Sequence, residues 1–283
     1  MKKELSLNNG TKIPMIGFGT WRLEEGEQAY NAVKYALEVG YRHIDTAQGY
    51  QNESSVGQAI LDSGIDRQQL YVTTKVVNTV RGYDNTTRSI EASLEKLKMD
   101  YLDLVLIHWP NPKSVRDKGE NAWKEANAET WRALEDLVEA GKIRSIGISN
   151  FLEHHIEELL KTARIKPVLN QIKIAPGCYP EALINYCRQH EIELEAYSPL
   201  GAGELFSHET VLEMAKKYDC TAAQLALRWV IDRGCIPLPR STNPKNIQSN
   251  LELEGIEISE EDSLVLQNLT GMSGATDPDS ATF

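Results

Sequence analysis

The sequence has few cysteines, and none lies at a spacing typical of a redox or zinc-binding motif. The four, Cys178, Cys187, Cys220 and Cys235, form neither a Cys-x-x-Cys pair nor a zinc-binding pattern. A disulfide framework is not expected in a chain of 283 residues, because such frameworks belong mainly to small secreted domains. We therefore predict reduced thiols in a cytoplasmic protein.

Positive charge and long apolar runs are also scarce. Lys and Arg total 30 against 41 Asp and Glu, which gives a formal net charge of −11. Nucleic acid and anionic lipid both require a basic surface, so neither is an expected partner. Apolar runs such as residues 104–107 are far shorter than the roughly 18 residues of a membrane span, so no membrane partner is predicted.

Several motifs of nucleotide-binding and catalytic sites are incomplete. Gly17-Phe18-Gly19 begins a dinucleotide-binding fingerprint, but Arg22 stands where its last glycine is needed. Residues 147–151 (Gly-Ile-Ser-Asn-Phe) lack the final glycine of a hydrolase nucleophile elbow. The first absence disfavours a Rossmann-type cofactor site, and the second disfavours an esterase-like hydrolase.

Short apolar runs alternate along the chain with longer amphipathic stretches. Runs such as 104–107 are apolar at successive positions, which is typical of parallel strands covered on both faces. Strands are predicted at 15–17, 43–45, 71–75, 102–108, 144–149, 168–173, 192–197 and 235–239. Helices are predicted between them at 28–38, 85–97, 127–140, 152–162, 181–190 and 222–233.

Eight strands, each followed by a helical stretch, predict an α/β fold of the (β/α)8 TIM-barrel type. Asn9-Gly10 lies between short alternating stretches and predicts an N-terminal β-hairpin, which we expect to cap the barrel. No linker or low-complexity segment divides residues 1–283, so we predict one domain with insertions around 111–123 and 201–218. A doubly wound open sheet is the alternative that the same alternation permits.

Polar and ionisable side chains collect at the predicted carboxyl ends of the strands, where (β/α)8 enzymes place their active sites. Each one alone has a structural explanation, such as a helix cap or a solvated strand end. Their accumulation on one face favours chemistry. The set comprises Gly19, Thr20, Trp21, Asp45, Tyr50, Lys75, His108, Trp109, Ser149, Asn150, Gln171, Tyr197, Ser198 and Arg240.

Four of these residues, Asp45, Tyr50, Lys75 and His108, together predict a proton donor that faces a carbonyl oxygen. A free phenol has a pKa near 10. A neighbouring ammonium lowers that pKa, and a carboxylate paired with the lysine keeps the lysine charged. A histidine within reach polarises the carbonyl or relays the proton. Such a donor needs an electron partner, which predicts hydride delivered by a cofactor.

The sequence runs at these strand ends resemble the aldo-keto reductase family, in particular its prokaryotic diketogluconate and glyoxal reductases. The runs are 44–53 (IDTAQGYQNE), 72–75 (VTTK), 106–110 (LIHWP), 147–151 (GISNF), 196–200 (AYSPL) and 236–241 (IPLPRS). The likeness extends from residues 17–21 to residues 277–280. It implies a TIM barrel that reduces aldehydes, α-dicarbonyls or keto-sugars with NADPH, NADH being the alternative cofactor. It also implies a monomer with a small carbonyl substrate and no metal.

The resemblance assigns roles by position. Tyr50 is the general acid/base, with Lys75 and Asp45 lowering its pKa, and His108 orients the carbonyl. Trp21 and Trp109 wall the substrate pocket. The residues implied to contact the cofactor run from the nicotinamide to the adenosine phosphate: Gly19, Thr20, Asp45, Ser149, Asn150, Gln171, Tyr197, Ser198, Leu200, Arg240, Ser241, Thr242, Lys245 and Asn250.

The sequence departs from the family pattern at several positions. Arg240 stands where the family usually has Lys, and this leaves the preference between NADPH and NADH open. Lys173 and Ala175 replace a usual Glu and His, and the pattern does not explain them. The tail after Met272 is short, which predicts a wide barrel mouth.

Two other functions stay open as alternatives. One is an NADPH-binding redox sensor or accessory module with little turnover. The other is an aldolase-type barrel that uses Lys75 as a Schiff-base amine. The second requires a neutral amine, whereas a carboxylate at Asp45 favours the charged form.

Overall fold

A computed structural model of the chain describes residues 3–283, and within that range ten strands form a two-stranded sheet and an eight-stranded sheet. The hairpin strands are β1 (Glu4–Ser6) and β2 (Lys12–Pro14). The barrel strands are β3 (Phe18–Gly19), β4 (His43–Asp45), β5 (Tyr71–Val76), β6 (Leu102–Ile107), β7 (Ile143–Ser149), β8 (Leu169–Lys173), β9 (Glu193–Tyr197) and β10 (Ile236–Pro237).

Helices cover the outside of the larger sheet. They are α1 (Glu27–Val39), α2 (Glu53–Asp62), α3 (Tyr83–Leu97), α4 (Lys113–Arg116), α5 (Ala122–Glu139), α6 (Glu153–Leu160), α7 (Glu181–Gln189), α8 (Glu209–Lys217), α9 (Ala222–Asp232), α10 (Pro244–Ser249) and α11 (Glu260–Gln267). Three 3₁₀ helices cover Gln48–Tyr50, Arg67–Gln69 and Gly201–Ser207. All six predicted helices are present. Within residues 3–283, no helix is long and apolar enough to cross a membrane.

The N-terminal hairpin caps one end of the barrel, as predicted. β1 pairs with β2 in antiparallel register, and Gly10 in the turn adopts φ +83°. The Asn9 side-chain amide donates to Ser145 Oγ at 3.0 Å. Ser145 lies near the amino end of β7, so the hairpin covers the end of the barrel opposite to the predicted active site.

The eight parallel strands follow one another in chain order and close into a barrel. Each strand pairs with the next from β3 to β10. The first and last segments meet where the Gly17 amide donates to Pro237 O at 3.1 Å and the Gly19 amide donates to Pro239 O at 3.0 Å. This closure confirms the (β/α)8 barrel and excludes the doubly wound open sheet, whose edge strands do not meet.

The first barrel strand starts later than the sequence predicts. Residues 15–17 were expected to form it, but the chain bends at Met15 and Ile16, and the strand covers Phe18–Gly19. The reason is that the Met15 amide still donates to Lys3 O of the hairpin at 2.9 Å. Residues 15–17 therefore connect hairpin strand β2 to barrel strand β3.

The burial of β6 confirms the prediction of strands covered on both faces. Leu104 and Leu106 pack in the hydrophobic cluster that contains Leu169 and Ile236 from other strands. The alternate residues Val105 and Ile107 pack in the larger cluster formed with the surrounding helices. None of these four β6 side chains is exposed, which explains the continuous apolar run.

Candidate active site

A lysine, a carboxylate and a phenol meet at the carboxyl ends of β4 and β5. Lys75 Nζ donates to both carboxylate oxygens of Asp45 at 2.7 Å and to Thr46 O at 2.9 Å. The same ammonium lies 3.2 Å from the Tyr50 hydroxyl. Lys75 is fully buried and Asp45 is 3% exposed, so the ion pair is shielded from water.

The turn that carries Tyr50 is held by side-chain hydrogen bonds to two neighbouring elements. Gln48 accepts from the Val77 amide at 3.0 Å and donates to Ser93 Oγ at 3.0 Å. Gln51 adopts φ +58° and ends the 3₁₀ helix directly after Tyr50. The phenol is thereby placed beside β5 although its own segment is not part of a strand.

The Tyr50 hydroxyl is protonated at neutral pH. Burial raises its pKa above the ordinary value, and Asp45 adds to this, while Lys75 opposes both. The expectation that Lys75 and Asp45 together lower this pKa is therefore wrong in its net direction. Lys75 does favour the phenolate, but desolvation of the phenolate outweighs it.

Lys75 is charged, which disfavours the aldolase alternative. Burial alone would lower the pKa of Lys75, but Asp45 and Tyr50 outweigh burial and raise it. A Schiff-base lysine must be a neutral amine to attack a carbonyl. Both Asp45 oxygens hold the ammonium instead.

His108 follows β6 and faces Tyr50. The two rings meet edge to face with centroids 5.8 Å apart. Burial, together with the positive charges of Lys75 and Arg81, lowers the pKa of His108 well below its ordinary range. His108 is therefore a neutral imidazole, able to donate a hydrogen bond but not to supply a proton at neutral pH.

Arg81 is a site residue that sequence reasoning missed. It is 8% exposed and donates to Val80 O at 2.6 Å and to Trp109 O at 2.5 Å. Burial lowers the pKa of Arg81 to about 10. It lies in the irregular segment after β5, outside any motif, so no sequence signal points to it.

A second group of polar residues connects β7, β8 and β9. The Tyr197 hydroxyl donates to Asn150 Oδ1 at 2.9 Å, and Asn150 Nδ2 donates to Ser149 Oγ at 3.1 Å. Ser149 Oγ donates to Gln171 O at 2.8 Å. Asn150 adopts φ +61°, a conformation that asparagine tolerates. The structure thus brings these four predicted residues together.

Gln171 links this second group to the buried ion pair. Its Nε2 donates to Asp45 Oδ2 at 2.9 Å and to Glu195 Oε2 at 2.5 Å. Both amide hydrogens are used in these bonds, so the amide orientation is fixed. Within residues 3–283, the amide oxygen of Gln171 has no hydrogen-bond donor and is free for a ligand.

The loop after β3 and the loop after β9 lie beside these groups. Thr20 Oγ1 donates to Asp45 O at 3.0 Å, and a Cβ on Gly19 would lie 3.2 Å from Leu238 O. Ser198 adopts φ +49°, and Leu200, two residues later, is half-buried. The Gly201 amide donates to Ser198 O at 3.0 Å, so a tight turn leads from Ser198 into the 3₁₀ helix Gly201–Ser207.

The basic residues predicted for the adenosine phosphate lie after β10. Arg240 and Lys245 are exposed, and neither forms an ion pair with any carboxylate of the described part of the chain. Asn250 is 3% exposed. Beside them is a groove of about 510 Å³, whose lining includes Glu24, Glu27 and Thr242.

The C-terminal tail is held against the carboxyl end of β8 and the 3₁₀ helix Gly201–Ser207. Lys173 Nζ donates to Ser273 O at 2.8 Å and to Gly274 O at 3.1 Å. Glu204 accepts a hydrogen bond from the Ser273 amide at 2.9 Å. This contact explains Lys173, which the sequence pattern did not account for. Ala175 is buried and its amide donates to Cys178 O at 3.1 Å.

The tail is fastened again at Asp279. Its carboxylate lies 3.0 Å from His154 Nε2 and 3.1 Å from His155 Nε2, and it accepts from Asn111 Nδ2 at 2.8 Å. His155 Nδ1 accepts from the Leu152 amide at 3.2 Å. The ring proton is therefore on Nε2, which donates a hydrogen bond to the Asp279 carboxylate. This hydrogen bond anchors the tail to α6.

Beyond this anchor, Phe283 reaches Trp109. Its ring packs edge to face on Trp109 with centroids 4.7 Å apart. Trp21, on the opposite loop, is 46% exposed and stacks under the Arg22 guanidinium at 4.3 Å. The tail therefore brings an aromatic ring to Trp109 that sequence reasoning missed, because no pattern in the tail predicts where it folds back.

Comparisons with known proteins identify the family of the chain. The model of the Aldo/keto reductase family matches residues 15–269. Glyoxal reductase of Bacillus subtilis is 43% identical over 262 residues, which are 93% of this chain and 91% of that protein.

Solved structures give the same result. The structure of MGS-M4, an aldo-keto reductase enzyme from a Medee basin deep-sea metagenome library, has a TM-score of 0.90 at 40% identity, covering 99% of this chain and 100% of its own. A Bombyx mori aldo-keto reductase in complex with NADP has a TM-score of 0.85 at 36% identity, covering 93% and 91%. The chain therefore belongs to the aldo/keto reductase family, which confirms the predicted class of NADP(H)-dependent oxidoreductase acting on carbonyl groups.

Proposed function

We propose that this protein reduces small aldehydes, α-dicarbonyls or keto-sugars to alcohols, with NADPH as the hydride donor and Tyr50 as the proton donor. The observation that carries the proposal is the 3.2 Å contact between Lys75 Nζ and the Tyr50 hydroxyl, with Lys75 held by both oxygens of Asp45. NADPH, when bound, supplies the hydride from its nicotinamide C4. The chain's own residues supply the proton and the orientation of the substrate.

Tyr50 is suited to donate a proton because its hydroxyl is protonated and lies beside a cation that can stabilise the phenolate. Burial keeps the hydroxyl protonated until a carbonyl oxygen develops negative charge beside it. The Lys75 ammonium then stabilises the phenolate that remains, and its effect is strong because the site is dry. In this proposal Asp45 acts through Lys75, which it keeps charged and in place.

His108 orients the carbonyl by donating a hydrogen bond. A neutral imidazole carries one N–H, and the lowered pKa of His108 keeps it in that form. The buried Arg81 contributes to this through its positive charge. Trp21, Trp109 and Phe283 provide the aromatic walls against which the rest of the substrate packs.

The residues present fit a nicotinamide dinucleotide. Tyr197 offers a flat ring fixed by Asn150, and the free amide oxygen of Gln171 is an acceptor for a carboxamide N–H. Ser149, Ser198 and Leu200 flank the same end of the barrel. Gly19 and Thr20 lie after β3, beside Leu238 and Asp45.

The adenosine end would be held by Arg240, Ser241, Thr242, Lys245 and Asn250. Arg240 and Lys245 have no carboxylate partner within residues 3–283, so their charges are available to a phosphate dianion. Local positive charge of this kind is needed because the protein as a whole is acidic.

The proposed function is tested by NADPH consumption with a panel of carbonyls. The panel contains methylglyoxal, benzaldehyde, a pentose and a keto-gluconate; methylglyoxal is included because one relative is named glyoxal reductase. Turnover with at least one of them is expected. NADPH binding without oxidation by any of them would contradict the proposal and support the sensor alternative.

Replacing Arg240 by Ala is expected to raise the Kd for NADPH by about tenfold or more, because charge-assisted hydrogen bonds to a phosphate are among the stronger polar contacts. The Kd for NADH should change by less than about twofold, since NADH lacks the 2′-phosphate. Fluorescence titration with each dinucleotide measures both values. Equal losses for the two would place the phosphate elsewhere, with Lys245 the next residue to replace.

Replacing Phe283 by Ala is expected to raise the KM for benzaldehyde by about 2–10-fold, because one edge-to-face aromatic partner at the mouth is lost. The KM for methylglyoxal should stay nearly constant, since that substrate is too small to need the wall. Steady-state kinetics with both substrates measures the ratio. An equal change for both would show that Phe283 acts on the barrel as a whole.

A further inference from the structure

Glu195 is a buried carboxyl that the reaction described above does not use. It is fully buried on β9, two residues before Tyr197. One of its oxygens accepts from Gln171 Nε2 at 2.5 Å. The other has no hydrogen-bond partner and lies 3.5 Å from His43 Nε2. A carboxyl in this position lowers stability relative to an apolar side chain, so its presence needs a functional reason.

An unbroken series of polar contacts joins Glu195 to Tyr50. Glu195 and Asp45 receive the two amide hydrogens of Gln171, at 2.5 and 2.9 Å. Asp45 receives the Lys75 ammonium at 2.7 Å, and that ammonium lies 3.2 Å from the Tyr50 hydroxyl. A change at Glu195 therefore reaches the proton donor through groups in direct contact.

We propose that Glu195 is a positioning residue for the proposed reduction: it fixes the Gln171 amide and adjusts, through its charge, how readily Tyr50 releases its proton. This inference rests on the proposed function of Tyr50. It assigns Glu195 two separable effects, one on the orientation of Gln171 and one on the electrostatics of the donor.

The charges around Glu195 support the electrostatic effect. Titratable groups face it from two strands: His43 and Asp45 on β4, and Tyr71 and Lys75 on β5. Burial lowers the pKa of His43 to about 3, so His43 is neutral. Tyr71 is also neutral, because burial raises its pKa. Lys75 is thus the one cation among these groups, and Asp45 is already paired with it.

The Glu195 carboxyl therefore stays protonated at neutral pH, because Lys75 is already paired with Asp45. Burial, followed by the charge of Asp45, raises the pKa of Glu195 to about 8. Above that pH Glu195 gains a negative charge, which raises the pKa of Tyr50 further. Tyr50 thereby remains a proton donor at higher pH than it would beside a neutral Glu195.

The test compares Glu195→Gln, Glu195→Met and the wild type by the pH dependence of kcat. Glu195→Gln keeps an acceptor for Gln171 but has no charge. The alkaline fall of kcat for reduction, and the alkaline rise of kcat for alcohol oxidation, should both move to lower pH by about one unit. Glu195→Met should show the same displacement and, in addition, a several-fold higher Kd for NADPH, because Gln171 is no longer fixed.

Glu191→Gln is the control for the loss of one negative charge. Glu191 is exposed and paired with Lys166 at 2.7 Å, so this variant should match the wild type.

A readout independent of turnover accompanies the kinetics. A carboxyl whose pKa is raised by folding stabilises the protein below the unfolded pKa, and that contribution is lost as the pH rises through the folded pKa. The wild-type Tm should therefore fall relative to that of Glu195→Gln between pH 5 and pH 9. Superimposable pH profiles of kcat and a constant difference in Tm would overturn the inference. If no carbonyl is reduced by the wild type, the proposed function fails, and a constant Tm difference then overturns the assignment of Glu195 as well.

Discussion

Replacing Tyr50 by Phe is expected to lower kcat for carbonyl reduction by about 10²–10⁴-fold, the usual contribution of a positioned general acid. The ring keeps its edge-to-face contact with His108, so only the hydroxyl beside Lys75 is lost. The Kd for NADPH should stay within about twofold of the wild type. Pre-steady-state reduction of methylglyoxal separates this loss from slow product release.

A matched control for Tyr50→Phe is Tyr41→Phe. Tyr41 is buried just after α1, and its hydroxyl donates to Ile247 O of α10 at 3.3 Å, outside the cluster of Asp45, Lys75 and His108. This variant should retain the wild-type kcat. Full activity of Tyr50→Phe would contradict the proposed role of Tyr50 as the proton donor.

Replacing Lys75 by Met is expected to abolish measurable reduction and to lower the free energy of unfolding by about 3–5 kcal/mol, because the Asp45 carboxylate is left buried without its cation. Urea denaturation measures the stability, and NADPH oxidation measures the activity. Gln171 alone cannot neutralise the carboxylate, since an amide carries no charge.

A double variant separates the two effects of Lys75. Adding Asp45→Asn to Lys75→Met removes the stranded charge, so much of the lost stability should return while activity stays absent. Recovery of activity together with stability would contradict the proposed role of Lys75 in lowering the energy of the phenolate. It would indicate that the lysine serves only to hold the barrel together.

The barrel and its proton-donor cluster were predictable because both depend on local or regularly spaced signals. Continuous apolar runs such as 104–107 reflect strands buried on both faces, and Asn9-Gly10 reflects a tight hairpin turn. Asp45 and Lys75 stand at the carboxyl ends of adjacent strands, so the fold itself brings them together. The residues quoted for the family resemblance lie at the same strand ends.

The remaining site features depend on contacts that no local pattern encodes. Arg81 is in an irregular segment, and its role arises from burial against the Trp109 carbonyl. Lys173 meets Ser273 and Gly274 about 100 positions later in the chain. The direction of the Tyr50 pKa was also beyond sequence reasoning, because desolvation depends on how tightly the finished barrel excludes water.

The division of labour between barrel and tail has a consequence for engineering. The proposed proton-transfer groups lie on strands and on a turn held by side-chain hydrogen bonds, whereas Phe283, the proposed wall of the pocket, belongs to a tail held at Ser273, Gly274 and Asp279. Exchanging the last residues of the tail is therefore expected to change which carbonyl compounds are accepted without disturbing the proposed catalytic groups. Substrate scope and chemistry can be varied on separate stretches of this polypeptide.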